Sequence, residues 1–270
     1  MRIARFTAGE DPRYGVITGD LDDYGQLSDD AVIAELTGDP LYAGIQPAGP
    51  EHRAADVRLL APVIPRSKVV AVGRNYAAHA AELGSEVPDE PMIFLKPNTS
   101  VIGPGDDIVY PPQSADVHYE GELAVVIGRI CKDVPAERAA EVIFGYTIAN
   151  DVTARDLQRK DGRFSRAKGF DTFCPLGPWI TTGIEPGRFA DGVAIQTHLD
   201  GDLVQDGTTA DMVYDIPTLI AHASAIMTLL PGDVILTGTP AGVGPMTAGQ
   251  RVSVTVEGIG TLSNPVINRG

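Results

Sequence analysis

The sequence predicts an α+β fold rich in β-structure, with a small N-terminal unit over residues 1–64 and a larger domain over residues 65–270. Three observations carry this. Short apolar, β-branched runs recur along the chain and are closed by Gly, Pro or Asp-Gly, the pattern of strands and hairpins. Few stretches keep helical spacing. At 270 residues, 43% hydrophobic and 21% charged, the chain can bury a large core and still carry a small appendage.

Taken in order, Arg2–Phe6 and Tyr14–Thr18 read as alternating strands joined by a turn around Gly9-Glu10-Asp11-Pro12. Ala31–Leu36 reads as a brief helix closed by Gly38-Asp39-Pro40, and Gly44–Asp56 as loop. The acids Asp20, Asp22, Asp23, Asp29 and Asp30 read as solvated surface. Lys68–Gly73 is a strand of buried character, followed by a helix over Tyr76–Leu83 that Gly84 stops. His79 and Glu82, three residues apart, share one face of that helix. The segment Gly84–Pro91, rich in Gly, Pro and acid, gives it the flexible end a lid needs. Met92–Leu95 is a strand ending at Lys96, whose ammonium is open to solvent snorkelling, an ion pair or a substrate contact. Leu123–Gly128 and Phe144–Ala149 are apolar strands separated by a helix near Ala136–Val142. Val152–Arg159 forms a helical turn, and residues 169–178 a kinked apolar loop that brings Lys168 back over the site. Beyond it, Trp179–Thr182, Ala194–Leu199, Asp233–Thr237, Arg251–Val256 and Gly260–Val266 read as strands. Asp200-Gly201 and Glu257-Gly258 are hairpin turns, and residues 211–229 hold one clear helix with Pro217 near its start.

The chemistry concentrates where apolar strands end on acid. Glu120 and Glu122 precede Leu123–Gly128 and, two residues apart in extended chain, point to the same face. Asp151 follows Phe144–Ala149. A solvated polar face accounts for two such carboxylates; three, with no cysteine nearby, suit a hard divalent cation such as Mg²⁺ or Mn²⁺. Arg155 and Gln158 lie three apart on one helical face, and arginine holds carboxylates bidentately. Lys160, Arg163, Arg166 and Lys168 make a locally basic segment in an acidic protein.

The net charge of −15 argues against nucleic acid or an anionic membrane as partner, while leaving room for a small anionic substrate in a locally cationic pocket. Cys131 and Cys174 stand alone, with neither disulfide nor zinc spacing, which fits a reducing interior. Met1–Phe6 lacks the apolar run of a secretory signal, and no window of about 18 apolar residues occurs, so the expectation is a cytoplasmic protein. Gly238–Pro245 lacks the Gly-Lys-Ser/Thr of a phosphate-binding loop, though its amides and the Thr239 hydroxyl can cradle a small carboxylate. No Gly-x-Ser-x-Gly elbow is present.

Six segments in sequence order carry a resemblance. They are Gly73-Arg74-Asn75-Tyr76-x-x-His79-x-x-Glu82, Phe94-Leu95-Lys96-Pro97, Glu120-x-Glu122, Asn150-Asp151-x-x-Ala154-Arg155-Asp156-x-Gln158, Lys168-Gly169-Phe170-Asp171 and Thr237-Gly238-Thr239-Pro240. Together they resemble the fumarylacetoacetate hydrolase family over roughly residues 66–270. The resemblance implies a mixed β-sandwich roll, paired as a homodimer, behind a small N-terminal extension. It implies one Mg²⁺ or Mn²⁺ per chain on Glu120, Glu122 and Asp151. It implies catalytic roles for His79, Glu82 and Lys168, and substrate contacts from Arg155, Gln158, Thr239 and Lys96. The activity implied is carbon–carbon cleavage in a small 2-keto acid, as acylpyruvate hydrolysis or oxaloacetate decarboxylation, through a pyruvate enolate whose charge the metal stabilises. Isomerases and decarboxylases of catabolic dienoates look similar. A metal-stabilised binding protein without turnover is the alternative of another class, against which the His79–Glu82 pair stands.

Overall fold

The computed structural model describes residues 1–9 and 11–269; Glu10 of the expected first turn and the terminal Gly270 lie outside the described residues. The N-terminal part comprises β1 (Arg2–Thr7), β2 (Arg13–Thr18), β3 (Val32–Leu36), the short helix α1 (Pro40–Ala43), β4 (Pro47–Arg53) and β5 (Arg58–Leu60). Next come β6 (Val69–Gly73), α2 (Ala77–Glu82), β7 (Met92–Lys96), β8 (Val101–Ile102), β9 (Ile108–Tyr110) and β10 (Val117–Tyr119). The centre is β11 (Gly121–Ile127), β12 (Ile143–Asn150), β13 (Thr153–Ala154), α3 (Arg155–Asp161) and β14 (Cys174–Thr181). The chain closes with α4 (Gly187–Ala190), β15 (Ala194–Leu199), β16 (Asp202–Thr208), α5 (Ile216–Ile226), β17 (Val234–Leu236), β18 (Gly244–Pro245), β19 (Arg251–Val256) and β20 (Gly260–Asn268).

Twelve strands form one sheet, in the order β4-β3-β2-β1-β14-β12-β11-β17-β6-β7, with β5 on β1 and β8 on β14. Its pairings are antiparallel except β6 with β17 and β8 with β14. The N-terminal strands therefore extend the sheet that carries the site, joined where Arg2 faces Thr181. A second sheet, β16-β15-β19-β20-β9, packs against the first. Strand alternation sets the two cores. On β11, Leu123, Val125 and Ile127 face Ile195, Val254, Val256 and Leu262 of the second sheet, together with Leu219 and Ile220 of α5. The intervening Ala124 and Val126 face Val69, Ala71, Val234 and Leu236. All seven residues of β11 are buried, so the strand is pinned on both faces. Each fully buried aliphatic side chain here contributes about 1.5–3 kcal/mol. The α+β, β-rich sandwich with its small N-terminal unit is the architecture present.

Several local expectations change. Ala31–Leu36 is strand β3, because Val32 and Ile33 are β-branched and the segment gains ladder pairing on both sides, from β2 and β4. Residues 47–53, expected as loop, form the sheet's edge strand β4, where prolines are tolerated because one row of backbone groups faces outward. Ala136–Val142 is a 3₁₀-helix, and Cys174–Pro178 belongs to β14 instead of a loop. Strand β16 is announced only by the Asp200-Gly201 turn before it: Gly207 and its acids disguise its own pattern, and its order comes from pairing with β15.

Candidate active site

The site forms where β11 begins and β12 ends. Their antiparallel register sets Gly121 opposite Asn150 and Glu122 opposite Ala149. One residue further, Glu120 meets Asp151, whose N–H donates to the Glu120 carbonyl at 2.8 Å. Period-two alternation then brings Glu122 to the same face as Glu120. Carboxylate oxygens of Glu120, Glu122 and Asp151 lie within 4.8 Å of one another, and all three residues are buried. Hard oxygen donors converging so closely fit a divalent cation of the Mg²⁺ or Mn²⁺ type.

Three cations approach this trio from other elements. The Lys168 ammonium donates to Glu120 Oε2 at 2.7 Å, Asp151 Oδ2 at 2.6 Å and the Thr153 hydroxyl at 2.7 Å. Lys96, at the end of β7, donates to Asp151 Oδ1 and to the Lys168 carbonyl, both at 2.5 Å. Arg155, the first residue of α3, donates to Glu120 Oε1 and, at 2.6 Å, to Gln158 Oε1. Glu122 makes no ion pair among the described residues. It accepts the Gly238 N–H at 2.7 Å.

This asymmetry separates the carboxyls. Burial alone would raise the pKa of Glu120, but the charges of Lys168 and Arg155 outweigh it and hold the group well below the usual carboxylate range. Burial, reinforced by the Asp151 and Glu120 charges, pushes Glu122 well above that range. Burial would also lower Lys168, yet the Asp151 and Glu120 carboxylates win and its pKa is raised. Glu122 thus carries a proton far more readily than Glu120.

The Gly238 donor is fixed by its backbone. Its φ of +96° suits glycine, and a Cβ there would stand 2.8 Å from the Cβ of Asn75. Asn75 in turn ties the loop down, donating to the Thr237 carbonyl at 2.8 Å and to the Tyr214 carbonyl at 3.0 Å.

Above the carboxylates lies a cavity of about 800 Å³, lined by His79, Glu82, Glu120, Glu122, Asp151, Arg155, Gln158, Lys168 and Thr239 among others. His79 Nδ1 sits 3.2 Å from Glu82 Oε2 on the short helix α2. The Glu82 carboxylate also accepts the Gly242 N–H, at 3.1 and 3.3 Å, which fastens the helix to the Gly238–Pro245 loop. The Thr239 hydroxyl donates to the Gly121 carbonyl at 2.9 Å and accepts from Gln205 at 2.8 Å.

The structure therefore brings all ten residues singled out in the sequence to one place: nine line the cavity, and Lys96 lies behind Asp151, outside the lining. Sequence reasoning missed the supports: the Gly238 N–H, Thr153, Asn150, whose side chain accepts the Glu120 N–H at 2.9 Å, and Gln205, which accepts the Gly121 N–H at 3.0 Å. Asn150 and Gly238 fell inside the conspicuous segments. Gln205 sits in β16, whose own residues carry no strand pattern.

A buried carboxylate trio and a His–Glu pair facing one cavity of a β-sandwich roll define a class of metal-capable enzyme folds. The comparisons make this specific. Residues 68–267 match the family described as fumarylacetoacetate (FAA) hydrolase, C-terminal, and residues 1–62 match one described as Rv2993c-like, N-terminal. The chain belongs to the fumarylacetoacetate hydrolase family. It is 51% identical over 270 residues to Protein Rv2993c of Mycobacterium tuberculosis, covering 100% of this chain and 99% of that protein. A 5-carboxymethyl-2-hydroxymuconate delta-isomerase from Mycobacterium smegmatis superposes with a TM-score of 0.89 at 52% identity, covering 100% of both chains. A fumarylpyruvate hydrolase from Pseudomonas aeruginosa, solved in complex with Mn²⁺ and pyruvate, has a TM-score of 0.70 at 35% identity, over 75% of this chain and 90% of that one. No helix among the described residues is long and apolar enough to cross a membrane.

Proposed function

We propose that this protein is a divalent-metal-dependent enzyme that breaks the C3–C4 bond of a small 2-keto acid, by acylpyruvate hydrolysis or oxaloacetate decarboxylation. The observation that carries the reading is the shared cavity: the buried Glu120–Glu122–Asp151 trio at its floor and the His79–Glu82 pair on its wall. Glu120, Glu122 and Asp151 would hold one Mg²⁺ or Mn²⁺, which when bound supplies positive charge to stabilise the enolate left by bond cleavage. The Mn²⁺ and pyruvate in the fumarylpyruvate hydrolase relative support both halves of this assignment.

The chain's own groups do the rest. With Nδ1 engaged by Glu82, the His79 Nε2 is the nitrogen left to take a proton from water aimed at C4. Glu82 fixes the ring and, through Gly242, holds the short helix over the cavity, which keeps bulk water out. Gln158 and Thr239 offer polar contacts to the substrate head. Arg155, Lys168 and Lys96 act on it through the carboxylates they bind. The substrate is a small keto-acid anion, and the working form a cytoplasmic homodimer.

The isomerase relative supports a second reading, in which an intact 2-hydroxydienoate loses its enol proton and the resulting dienolate is reprotonated at a different carbon without carbon–carbon cleavage. The test is an assay of purified, metal-loaded protein against oxaloacetate, acetylpyruvate, fumarylpyruvate and a 2-hydroxydienoate, following pyruvate release and the dienol absorbance separately. Pyruvate from any of the first three supports cleavage. Absorbance change on the dienoate without pyruvate from any substrate refutes it in favour of isomerisation.

A further inference from the structure

Nδ1 of His118 and Nε of Arg155 are buried atoms with no hydrogen-bond partner among the described residues. We propose that Asp116 and His118 form a positioning unit for Arg155, in which Asp116 sets the imidazole so that its Nδ1 accepts the Arg155 Nε–H and keeps the guanidinium on Glu120. His118 does not line the cavity, so it acts through its neighbour and does not touch substrate.

Strand register places the two side chains together. In the small sheet β13-β10-β18, Val117 faces Ala154 and His118 faces Thr153. One step back, Asp116 meets Arg155, whose backbone N–H donates to the Asp116 carbonyl at 2.7 Å. Asp116, His118 and Glu120 alternate onto one face of the extended chain. Arg155 starts opposite Asp116 and ends on Glu120 Oε1, so its side chain crosses His118 on the way. Diagonal neighbours across a strand pair are within reach of a side chain this long. The loop itself is fastened to helix α3, because Asp156 accepts from the Ser114 hydroxyl at 2.6 Å and the Ala115 N–H at 3.0 Å.

Donor and acceptor roles then follow from what each group already holds. Asp116 is anchored at both oxygens: Oδ2 accepts from Arg159 at 2.6 Å, and Oδ1 lies 2.8 Å from His118 Nε2. Burial would raise the Asp116 carboxyl, but its bonds to Arg159 and His118 hold it below its usual range. An ionised carboxylate only accepts, so Nε2 carries the hydrogen and Nδ1 is left with a bare lone pair. Burial and then the Arg155 charge hold His118 below the ordinary imidazole pKa, in keeping with a neutral ring beside the guanidinium. Arg155 supplies the complement. Its Nη1 donates to Gln158 at 2.6 Å and its Nη2 to Glu120, which leaves Nε–H as the nitrogen without a partner. A buried acceptor and a buried donor left apart are unfavourable, and pairing them relieves both. A small rotation of the ring or one shared water completes the pair, and either keeps Nδ1 as the acceptor.

The test exploits side-chain shape: an asparagine amide reaches the position of Nδ1, a glutamine amide that of Nε2. Ring-nitrogen NMR on the isotope-labelled, full-length protein in EDTA should show His118 in its Nε2–H form, with the Nδ1 resonance displaced from that of a free ring nitrogen. Arg155→Lys, which keeps the charge and removes the Nε–H, should return that resonance to the free position. A hydrogen on Nδ1, or an Nδ1 resonance that ignores Arg155→Lys, overturns the proposal. In calorimetric titration, Mn²⁺ affinity should fall about tenfold in His118→Phe and in His118→Gln, and recover to within about twofold of wild type in His118→Asn. Wild-type affinity in His118→Phe overturns the proposal, as does rescue by glutamine and not asparagine, which would leave the Asp116 contact as the only role of the ring. This second arm rests on the reading that Glu120, Glu122 and Asp151 hold a metal. If Mn²⁺ binds no form, wild type included, that reading fails, while the spectra in EDTA still decide the pairing with Arg155.

Discussion

Glu122→Gln should stabilise the apo protein and blunt the stabilisation that metal gives. In the apo protein Glu122 is 1% exposed, lacks an ion pair among the described residues and faces the charges of Asp151 and Glu120. Its folded-state pKa is raised, so the folded protein holds this proton more tightly than the unfolded chain. The stability it contributes is complete below the ordinary glutamate pKa and is lost as pH rises towards the folded-state value. A neutral amide of the same shape keeps an acceptor for the Gly238 N–H and removes the penalty at high pH. Replacing buried charge by a neutral isostere stabilises by about 1–4 kcal/mol, and for a chain of this size 1 kcal/mol moves Tm by about 2–4 °C. In chelator at pH 8 the variant should therefore melt about 2–16 °C above wild type, and at pH 5 the gap should narrow. Metal acts oppositely. At one hundred times its Kd a ligand adds about 2.7 kcal/mol, or roughly 5–11 °C, to wild type, and the variant, one ligand short, should gain much less. The assay is differential scanning calorimetry at both pH values, with EDTA and with Mg²⁺ or Mn²⁺. A variant less stable than wild type in EDTA at pH 8, or one with an undiminished metal response, refutes the reasoning.

Other substitutions probe the same network. Lys168→Met strands Glu120 and Asp151 beside one fewer cation, so the apo protein should lose about 3–5 kcal/mol while its metal-induced Tm gain exceeds that of wild type; scanning calorimetry reads both, and an unchanged Tm would show the pair to be spectators. His79→Ala should lose most of the 10²–10⁴-fold that a general base typically contributes to acylpyruvate hydrolysis and keep a larger share of any oxaloacetate decarboxylation. Equal loss of both steady-state activities would leave the helix as a lid only. Gly238→Ala must place a Cβ against Asn75 at a φ of +96°, so it should lower Tm by about 3–8 °C and weaken metal binding in calorimetric titration. Metal affinity equal to wild type would mean the Gly238 N–H does not orient Glu122.

Much of the site was legible because its residues stand at strand ends, where an apolar run stops on acid. Leu123–Gly128 and Phe144–Ala149 declare themselves by apolar character and β-branching, and register then follows from two strands ending at Glu120 and Asp151. The helices were readable wherever spacing and caps agreed, as at Ile216–Ile226, where Asp215 accepts the Thr218 N–H and Pro217 sits near the start. What failed was short and decided by pairing. Val32–Leu36 has the length of a helical turn or a strand, and only its neighbours β2 and β4 choose. Pro47–Arg53 is largely exposed, so no hydrophobic period marks it. Gln205 was invisible because a glutamine's role depends on the buried polar groups it meets, here the Gly121 N–H that donates to it and the Thr239 hydroxyl that accepts from it.

Reading three converging acids as a demand for metal needs a correction that the geometry itself supplies. Converging carboxylates require positive charge, but Lys96, Lys168 and Arg155 already provide it through four ion pairs to Glu120 and Asp151, none of which reaches Glu122. Two acids and three cations would make a self-sufficient ion cluster, which buried networks of this kind achieve without an ion. The case for a cation therefore rests on the third carboxyl. Glu122 is fully buried, turned towards Glu120 and Asp151, oriented by a glycine amide and deprived of any basic partner among the described residues. Evolving a buried acid there costs stability unless something binds it, and a divalent cation is the group that would convert that cost into affinity. Lys168 and Arg155 then have a second use: by holding Glu120 ionised they would keep that ligand ready for a cation, while Glu122 would give up its proton on binding one.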